Sequence, residues 1–317
     1  MYKQYRRYLS AELLRCRGSA VQWLPLLALP LVVLTVFFSA FASSAEDATG
    51  VLGWQSMFIT GMYAPLIALF AGVPERLEAL SRGGGTLWRR LNPRYEHASR
   101  FLIVLASLAV FHLLNFGLSW AAVAAQGRAE HEVLIIAGAY SFLGAIGIAG
   151  FAIAGARRLG LAVTLILAVI WQVISLIPGI VEGSLWWAFP PAWPLRLLLP
   201  ALRIHQNSVP LEPGDPLLQE SPFPALALCL VLALAGAFTA TMTPRRLQPL
   251  FGRRRFSAPT ASTPRHALSG VAAYDCLACR CPLPSCRCAA WLSPGRNDAC
   301  GHHLLGIKRL SADFCCP

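Results

Sequence analysis

The chain has 317 residues, of which 56% are hydrophobic and only 13% charged, with a mean hydropathy of +0.55. Soluble domains carry about 25% charged residues, so this composition excludes a soluble globule: it has too little polar surface to cover itself, and lipid must do so. The formal net charge of +12 would suggest nucleic acid in a soluble protein, but here the cations fall in short clusters between apolar runs, a pattern that signals topology and anionic headgroup contact rather than nucleic-acid binding.

In chain order, residues 1–20 read as an amphipathic leader. Tyr2, Tyr5, Leu9, Leu13 and Cys16 recur at three- and four-residue spacing, with Lys3, Arg7 and Arg15 opposite, which predicts an interfacial elbow helix lying along a leaflet. The polar leader and the span-length run after it do not fit a cleavable signal, whose apolar core is roughly 7–15 residues. Six segments free of Asp, Glu, Lys and Arg follow: 21–42, 51–73, 101–125, 133–155, 161–180 and 223–242. A spanning helix needs about 20 mostly apolar residues, and backbone groups in lipid must be satisfied internally, so these runs predict helices and not barrel strands. The expected fold class is all-α, a six-span polytopic membrane protein with an elbow helix.

Between the spans, the cations set orientation. Lys3, Arg6, Arg7, Arg15 and Arg17 precede the first span. Arg76, Arg82, Arg89, Arg90, Arg94 and Arg100 lie between the second and third, Arg157-Arg158 between the fourth and fifth, and Arg245, Arg246 and Arg253–Arg255 after the sixth. The alternate connections are acidic, with Glu46, Asp47, Glu130, Glu132, Glu182, Glu212, Asp215 and Glu220. Lys and Arg mark cytoplasmic loops, so the chain is expected in a bacterial-type cell membrane with both ends inside. Segment 74–100 predicts a helical piece from Pro74 through Glu78 to Leu80, a stop at Gly83-Gly84-Gly85, and a second short piece around Trp88-Arg89-Arg90-Leu91 before Asn92-Pro93. An exposed Trp88 beside arginines suits docking onto another protein, or a solvated loop that only sets topology. The outer connection 181–221 opens with Trp186, Trp187 and Trp193, the pattern of an interfacial aromatic belt.

Polar residues within the spans are few. His112, Asn115 and Gln172 are candidates for a translocation pathway or for interhelical hydrogen bonding. Gly144, Gly147, Gly150 and Ala154 form a small-residue stripe that permits close approach of a helix, from the same bundle or from a second copy. No phosphate-binding G-x-x-x-x-G-K-[ST] loop is present, and the metalloprotease, esterase and paired intramembrane carboxylate signatures are missing too, so the chain reads as neither an ATPase nor an enzyme, and no cofactor is expected. Eight of the ten cysteines fall between Cys276 and Cys316. In a reduced cytoplasmic tail they are not disulfides, and their spacing is not that of a zinc ribbon. Residues 247–317 are expected to be a disordered extension without a metal.

Three stretches carry a resemblance: Glu12-Leu13-Leu14-Arg15-Cys16-Arg17 before the first span, Gly84-Gly85-Thr86-Leu87-Trp88-Arg89 with Asn92-Pro93-Arg94 and Arg100, and His205-Gln206-Asn207-Ser208-Val209-Pro210-Leu211-Glu212 before the last span. In this order, over about residues 1–246, the chain resembles type-2 ABC transporter permeases of the lantibiotic-immunity branch. Arg100 stands where Lys is usual, and Ser208 where Gly is common. The resemblance implies a permease subunit that pairs as a homodimer or heterodimer and docks a separate cytoplasmic ABC ATPase, which uses the ATP. It also implies a cargo that is an amphipathic peptide antibiotic or similar hydrophobic compound. Glu78, Gly84, Gly85, Trp88, Arg89, Arg90, Pro93 and Arg100 would then form the ATPase-coupling segment. The alternative is a non-transporting membrane scaffold or sensor subunit that uses the same loop.

Overall fold

A computed structural model describes residues 2–42, 49–81, 92–127 and 131–244. The chain divides into two units, Met1–Phe251 and Gly252–Pro317, and the second lies wholly outside the described residues, as does the cysteine-rich extension. Among the described residues the regular structure is helical, with one isolated bridge between Ile204 and Pro210.

Twelve α-helices are described. α1 (Tyr2–Cys16) is the leader, and two 3-10 turns lead into α2 (Ala28–Ala42). α3 (Thr49–Gly61) and α4 (Tyr63–Leu80) form a pair bent by 57°. α5 (Pro93–His112) continues through a π-helical turn (Leu113–Gly117) into α6 (Leu118–Ala125), giving 33 helical residues. α7 (Val133–Leu159) and α8 (Leu161–Ser175) are joined at Gly160, whose φ of +88° with ψ of 165° is open to glycine and strained for other residues. Then come α9 (Pro178–Val181), α10 (Ala192–Leu202), α11 (Pro216–Gln219) and α12 (Phe223–Met242).

Where the sequence predicts six similar spans, the described residues hold four helical stretches long and apolar enough to cross a membrane, Leu24–Phe41, Pro93–Ala125, Val133–Leu159 and Phe223–Met242, and a fifth if the bent pair counts as one. The bend has a local cause. Pro65 has no N–H to offer the Gly61 carbonyl and its ring crowds that carbonyl, so the helix breaks between Gly61 and Tyr63. Segment 161–180 also falls short: α8 stops at Ser175, three residues before Pro178, and its 15 residues rise about 22 Å, less than the roughly 30 Å hydrocarbon layer. Pro74 does not open a separate cytoplasmic helix. It lies inside α4, which runs on to Leu80.

The outer connection holds a further departure. Rather than a surface loop, its middle is α10, in which Leu195, Leu197, Leu198 and Leu199 are among the largest fully buried side chains of the chain. An apolar helix of this length suits a core or re-entrant element better than a span.

α7 is the central element, packing against α4, α5, α8, α10 and α12. The small-residue stripe is spent within this bundle. A Cβ at Gly150 would lie 2.2 Å from the Gly236 carbonyl carbon, and one at Gly147 would lie 2.6 Å from Leu232, so α7 and α12 meet nearly backbone to backbone. Outside, the pattern of a soluble protein is inverted: Val33, Phe37 and Phe41 on α2, Ile166, Val169 and Val173 on α8, and Leu230, Leu234 and Phe238 on α12 are exposed. Apolar faces this extensive on several helices are what hydrocarbon covers.

Candidate functional site

At one end of the bundle a group of charged side chains is buried together. Arg100, on the first turns of α5, is 3% exposed and reaches four carboxylates: Glu12 of α1 at 3.2 Å, Glu75 and Glu78 of α4 at 3.3 and 3.5 Å, and Glu96 of its own helix at 3.1 Å. Arg157, near the end of α7, pairs with Glu75 at 2.9 Å and also donates to the Ala240 carbonyl of α12. Arg15 of α1, more exposed, bridges Glu12 at 2.9 Å and Glu78 at 3.2 Å. Beside them, His97 Nδ1 donates to the Thr241 carbonyl at 3.2 Å, since a carbonyl can only accept.

Each charge would be costly alone, because an ion taken out of water must regain its solvation from partners. The planar, five-donor guanidinium of Arg100 suits carboxylates converging from three helices, which a lysine ammonium could not reach together. The result is a clasp binding the leader helix to the ends of α4, α5, α7 and α12. These are the ends that the arginine distribution puts on one side. Beside the clasp lies a pocket of about 310 Å³, walled by Glu12, Arg15, Glu78 and Arg100 with Cys16, Val21, Pro74 and Leu77 among its apolar surfaces. Burial, and next the Glu12 charge, push the Cys16 thiol up from its ordinary value.

Of the residues assigned to a coupling segment, Glu78 and Arg100 are thus in intramolecular ion pairs, with little surface for a partner. Pro93 is the first residue of α5, capped by Asn92, whose Oδ1 accepts from Arg94 N at 3.1 Å. Gly84, Gly85, Trp88, Arg89 and Arg90 lie outside the described residues. The leader is a helix, but the face it turns to the bundle is Tyr5, Tyr8, Leu9, Glu12 and Cys16, while Leu13 and Leu14 are exposed. Leu13 therefore leaves the predicted apolar stripe, and a buried glutamate sits within that stripe.

The polar candidates of the apolar segments are all buried and do different work. Gln172 of α8 bridges the break between α3 and α4. In an unbroken helix the Ala64 N–H would meet the Thr60 carbonyl. Here Gln172 Oε1 accepts from Ala64 N at 2.9 Å, and its Nε2 donates to Thr60 O at 2.6 Å and Ile59 O at 3.2 Å. His112 donates from Nδ1 to the Leu108 carbonyl at 2.8 Å, which leaves Nε2 to accept from the Ser141 hydroxyl of α7 at 3.1 Å. Tyr63 donates to the Ser141 carbonyl. Asn115 sits in the π-helical turn and donates to Gln55 Oε1 at 3.1 Å; Gln55 in turn donates to Thr35 and Ser119. The Asn115 Oδ1 is buried without a partner.

Gln55, Thr35, Ser119, Tyr63 and Ser141 were not singled out from the sequence, nor were Glu12, Glu75, Glu96 and Arg157 as a unit. A signal for the second group was present: Glu75, Glu96 and Arg157 stand within a few residues of span ends on one predicted side, and Glu12 lies in the leader on that same side. Arg157-Arg158 shows why it was missed. Arg157 is 4% exposed and paired, whereas its neighbour Arg158 is exposed, and adjacency in sequence hides that difference.

Comparisons with family models, curated proteins and solved structures find no match to this chain.

Proposed function

We propose that this chain is the permease subunit of an ATP-driven ABC exporter that moves an amphipathic peptide, such as a lantibiotic, or a similar hydrophobic compound out of the membrane. In this reading it crosses a bacterial-type cell membrane six times with both ends inside. The bent α3–α4 pair makes the second crossing and α8–α9 the fifth, and α1 lies along the inner leaflet as an elbow. Two such subunits pair, as a homodimer or with a second permease, and separate ATPase subunits dock on the segment between α4 and α5.

The observation that carries the reading is the buried clasp. It joins the leader helix to the ends of four bundle helices on the side where the α4–α5 segment emerges. Movement imposed there by a docked ATPase would reach α1, α4, α5 and α7 together, because displacing any one of them leaves a buried charge unpaired. Glu78 and Arg100 then act as transmitters within the permease, and the contact with the ATPase is made by Trp88, Arg89 and Arg90.

The scaffold or sensor alternative draws on the interior polar groups, since Gln172 and His112 are engaged within the bundle. Co-purification with an ATPase, followed by ATP turnover with and without added lantibiotic, separates the two. Turnover stimulated by the peptide supports export. An associated ATPase indifferent to any amphipathic peptide, in cells that gain no resistance, refutes it.

A further inference from the structure

The side of α1 turned away from the clasp has no partner in the bundle. Arg6, Leu13 and Arg17 fall on one stripe of that side and Arg7 and Leu14 on the next, all of them exposed, Leu13 by 56% and Leu14 by 69%. Arg17 follows α1 in helical register, its N–H donating to the Leu13 carbonyl at 3.1 Å. Among the described residues the side chains of Arg7 and Arg17 make no ion pair or hydrogen bond. The one carboxylate of α1, Glu12, is turned inward and engaged in the clasp. The outward face is thus basic at both ends and apolar between, with no acid on it. Exposed apolar surface resumes beyond Gly18 at Trp23, Leu26 and Leu27, which lead into the hydrocarbon-facing side of α2. On such a face leucines enter the acyl boundary while arginine stems reach back to the headgroups, where the guanidinium meets phosphate oxygens. A zwitterionic headgroup brings its own ammonium, so an unopposed basic face fits anionic lipid.

We infer that this face binds anionic phospholipids of the inner leaflet, with Arg7 and Arg17 on their headgroups and Leu13 and Leu14 at the acyl boundary. Because the inward face of the same helix carries Glu12 and Arg15, the charge of the leaflet then sets how firmly α1 holds the clasp. The inference rests on the placement of α1 along the inner leaflet given above, and not on export. Its test needs neither ATPase nor peptide, so its failure and a failed transport assay are separate results. The test is amide hydrogen exchange over Tyr2–Cys16 in the full-length chain, in nanodiscs of phosphatidylcholine alone or mixed with phosphatidylglycerol. Exchange is expected to slow in the anionic discs by about fivefold for each of Arg7 and Arg17, and high salt should remove the difference. Arg7→Gln with Arg17→Gln should abolish most of it. Arg158→Gln, which removes an exposed arginine of α7 at the same end, should leave it intact. Leu14→Gln should speed exchange in both bilayers. Equal exchange in the two bilayers, or a difference that survives Arg7→Gln with Arg17→Gln, overturns the assignment. So does a difference that falls as far in Arg158→Gln, which would make it an effect of overall charge. Protection that rises with protein concentration in detergent would give the face to a second copy instead. If Leu14→Gln also changes nothing in either bilayer, α1 does not lie on the leaflet; if it speeds exchange in both, that placement stands and only the lipid preference falls.

Discussion

Replacing Arg100 with glutamine tests the clasp directly. The substitution removes the guanidinium that reaches all four of Glu12, Glu75, Glu78 and Glu96, at 3.1 to 3.5 Å. Arg15 and Arg157 remain, but Arg15 is partly exposed, and Arg157 makes its ion pair with Glu75. Breaking a buried pair by removing one partner costs about 3–5 kcal/mol; here Arg15 still meets Glu12 and Glu78 and Arg157 still meets Glu75, so a loss toward the lower end of that range is expected. Arg100→Lys should recover only part of this, since one ammonium cannot meet carboxylates on three helices. The assay is thermal or SDS-induced unfolding of the purified protein in detergent, run as a double-mutant cycle with Glu12→Gln. Removing both partners leaves less unpaired charge than the sum of the single changes, so a coupling of about 1–3 kcal/mol is expected. A purely surface role for Arg100 in docking predicts near-native stability with lost ATPase binding. If Arg100→Gln costs less than about 1 kcal/mol and its effect adds to that of Glu12→Gln, the buried clasp is refuted.

Gly150→Ala should lower the unfolding midpoint sharply, since its Cβ would fall 2.2 Å from the backbone of Gly236, whereas Gly53→Ala, with nothing within 4 Å, should not; equal midpoints would contradict the α7–α12 contact. Gln172→Leu should cost about 2 kcal/mol or more, by leaving the Thr60 carbonyl and Ala64 amide unsatisfied at the break, and hydrogen exchange should rise at Ala64 in particular; unchanged protection there would mean that the bend does not need the clamp. Trp88→Ala, and Arg89→Glu with Arg90→Glu, should leave membrane insertion intact while weakening ATPase capture by about 2 kcal/mol or more; full capture and full peptide resistance would reduce the α4–α5 segment to a topology signal. A cysteine introduced at position 86 should resist labelling from outside intact cells, and one within 183–221 should react; the reverse pattern would invert the proposed topology.

The physical solvent of the chain was legible in its sequence, because it depends on composition and local runs alone. Charge-free stretches of span length predict helices wherever lipid denies the backbone other partners, and α2, α5–α6, α7 and α12 lie where those runs are. Gly144, Gly147 and Gly150 announced close packing, since an absent side chain permits it in any context, but their partners, Pro194 and Tyr63 for the first and α12 for the other two, did not show. The departures share a cause, which is that a side chain's role depends on what it meets far along the chain. Pro65 breaks a helix only tolerably because Gln172, more than a hundred positions on, satisfies the exposed backbone groups. The α10 leucines read as part of an outer loop because hydropathy does not distinguish a short helix tucked into a bundle from an interfacial one. Arg100 and Arg157 read as topology signals because arginines on the predicted inner side are ordinary there. Only the tertiary structure brings Glu12, Glu75, Glu78 and Glu96 to them, turning a statistical bias in loops into buried ion pairs. The sequence by itself determined that this is a helical membrane protein and which helix ends share a side. The folded bundle decided which charges are paired and which polar residues repair its bends, because both depend on distances between segments that no local pattern encodes.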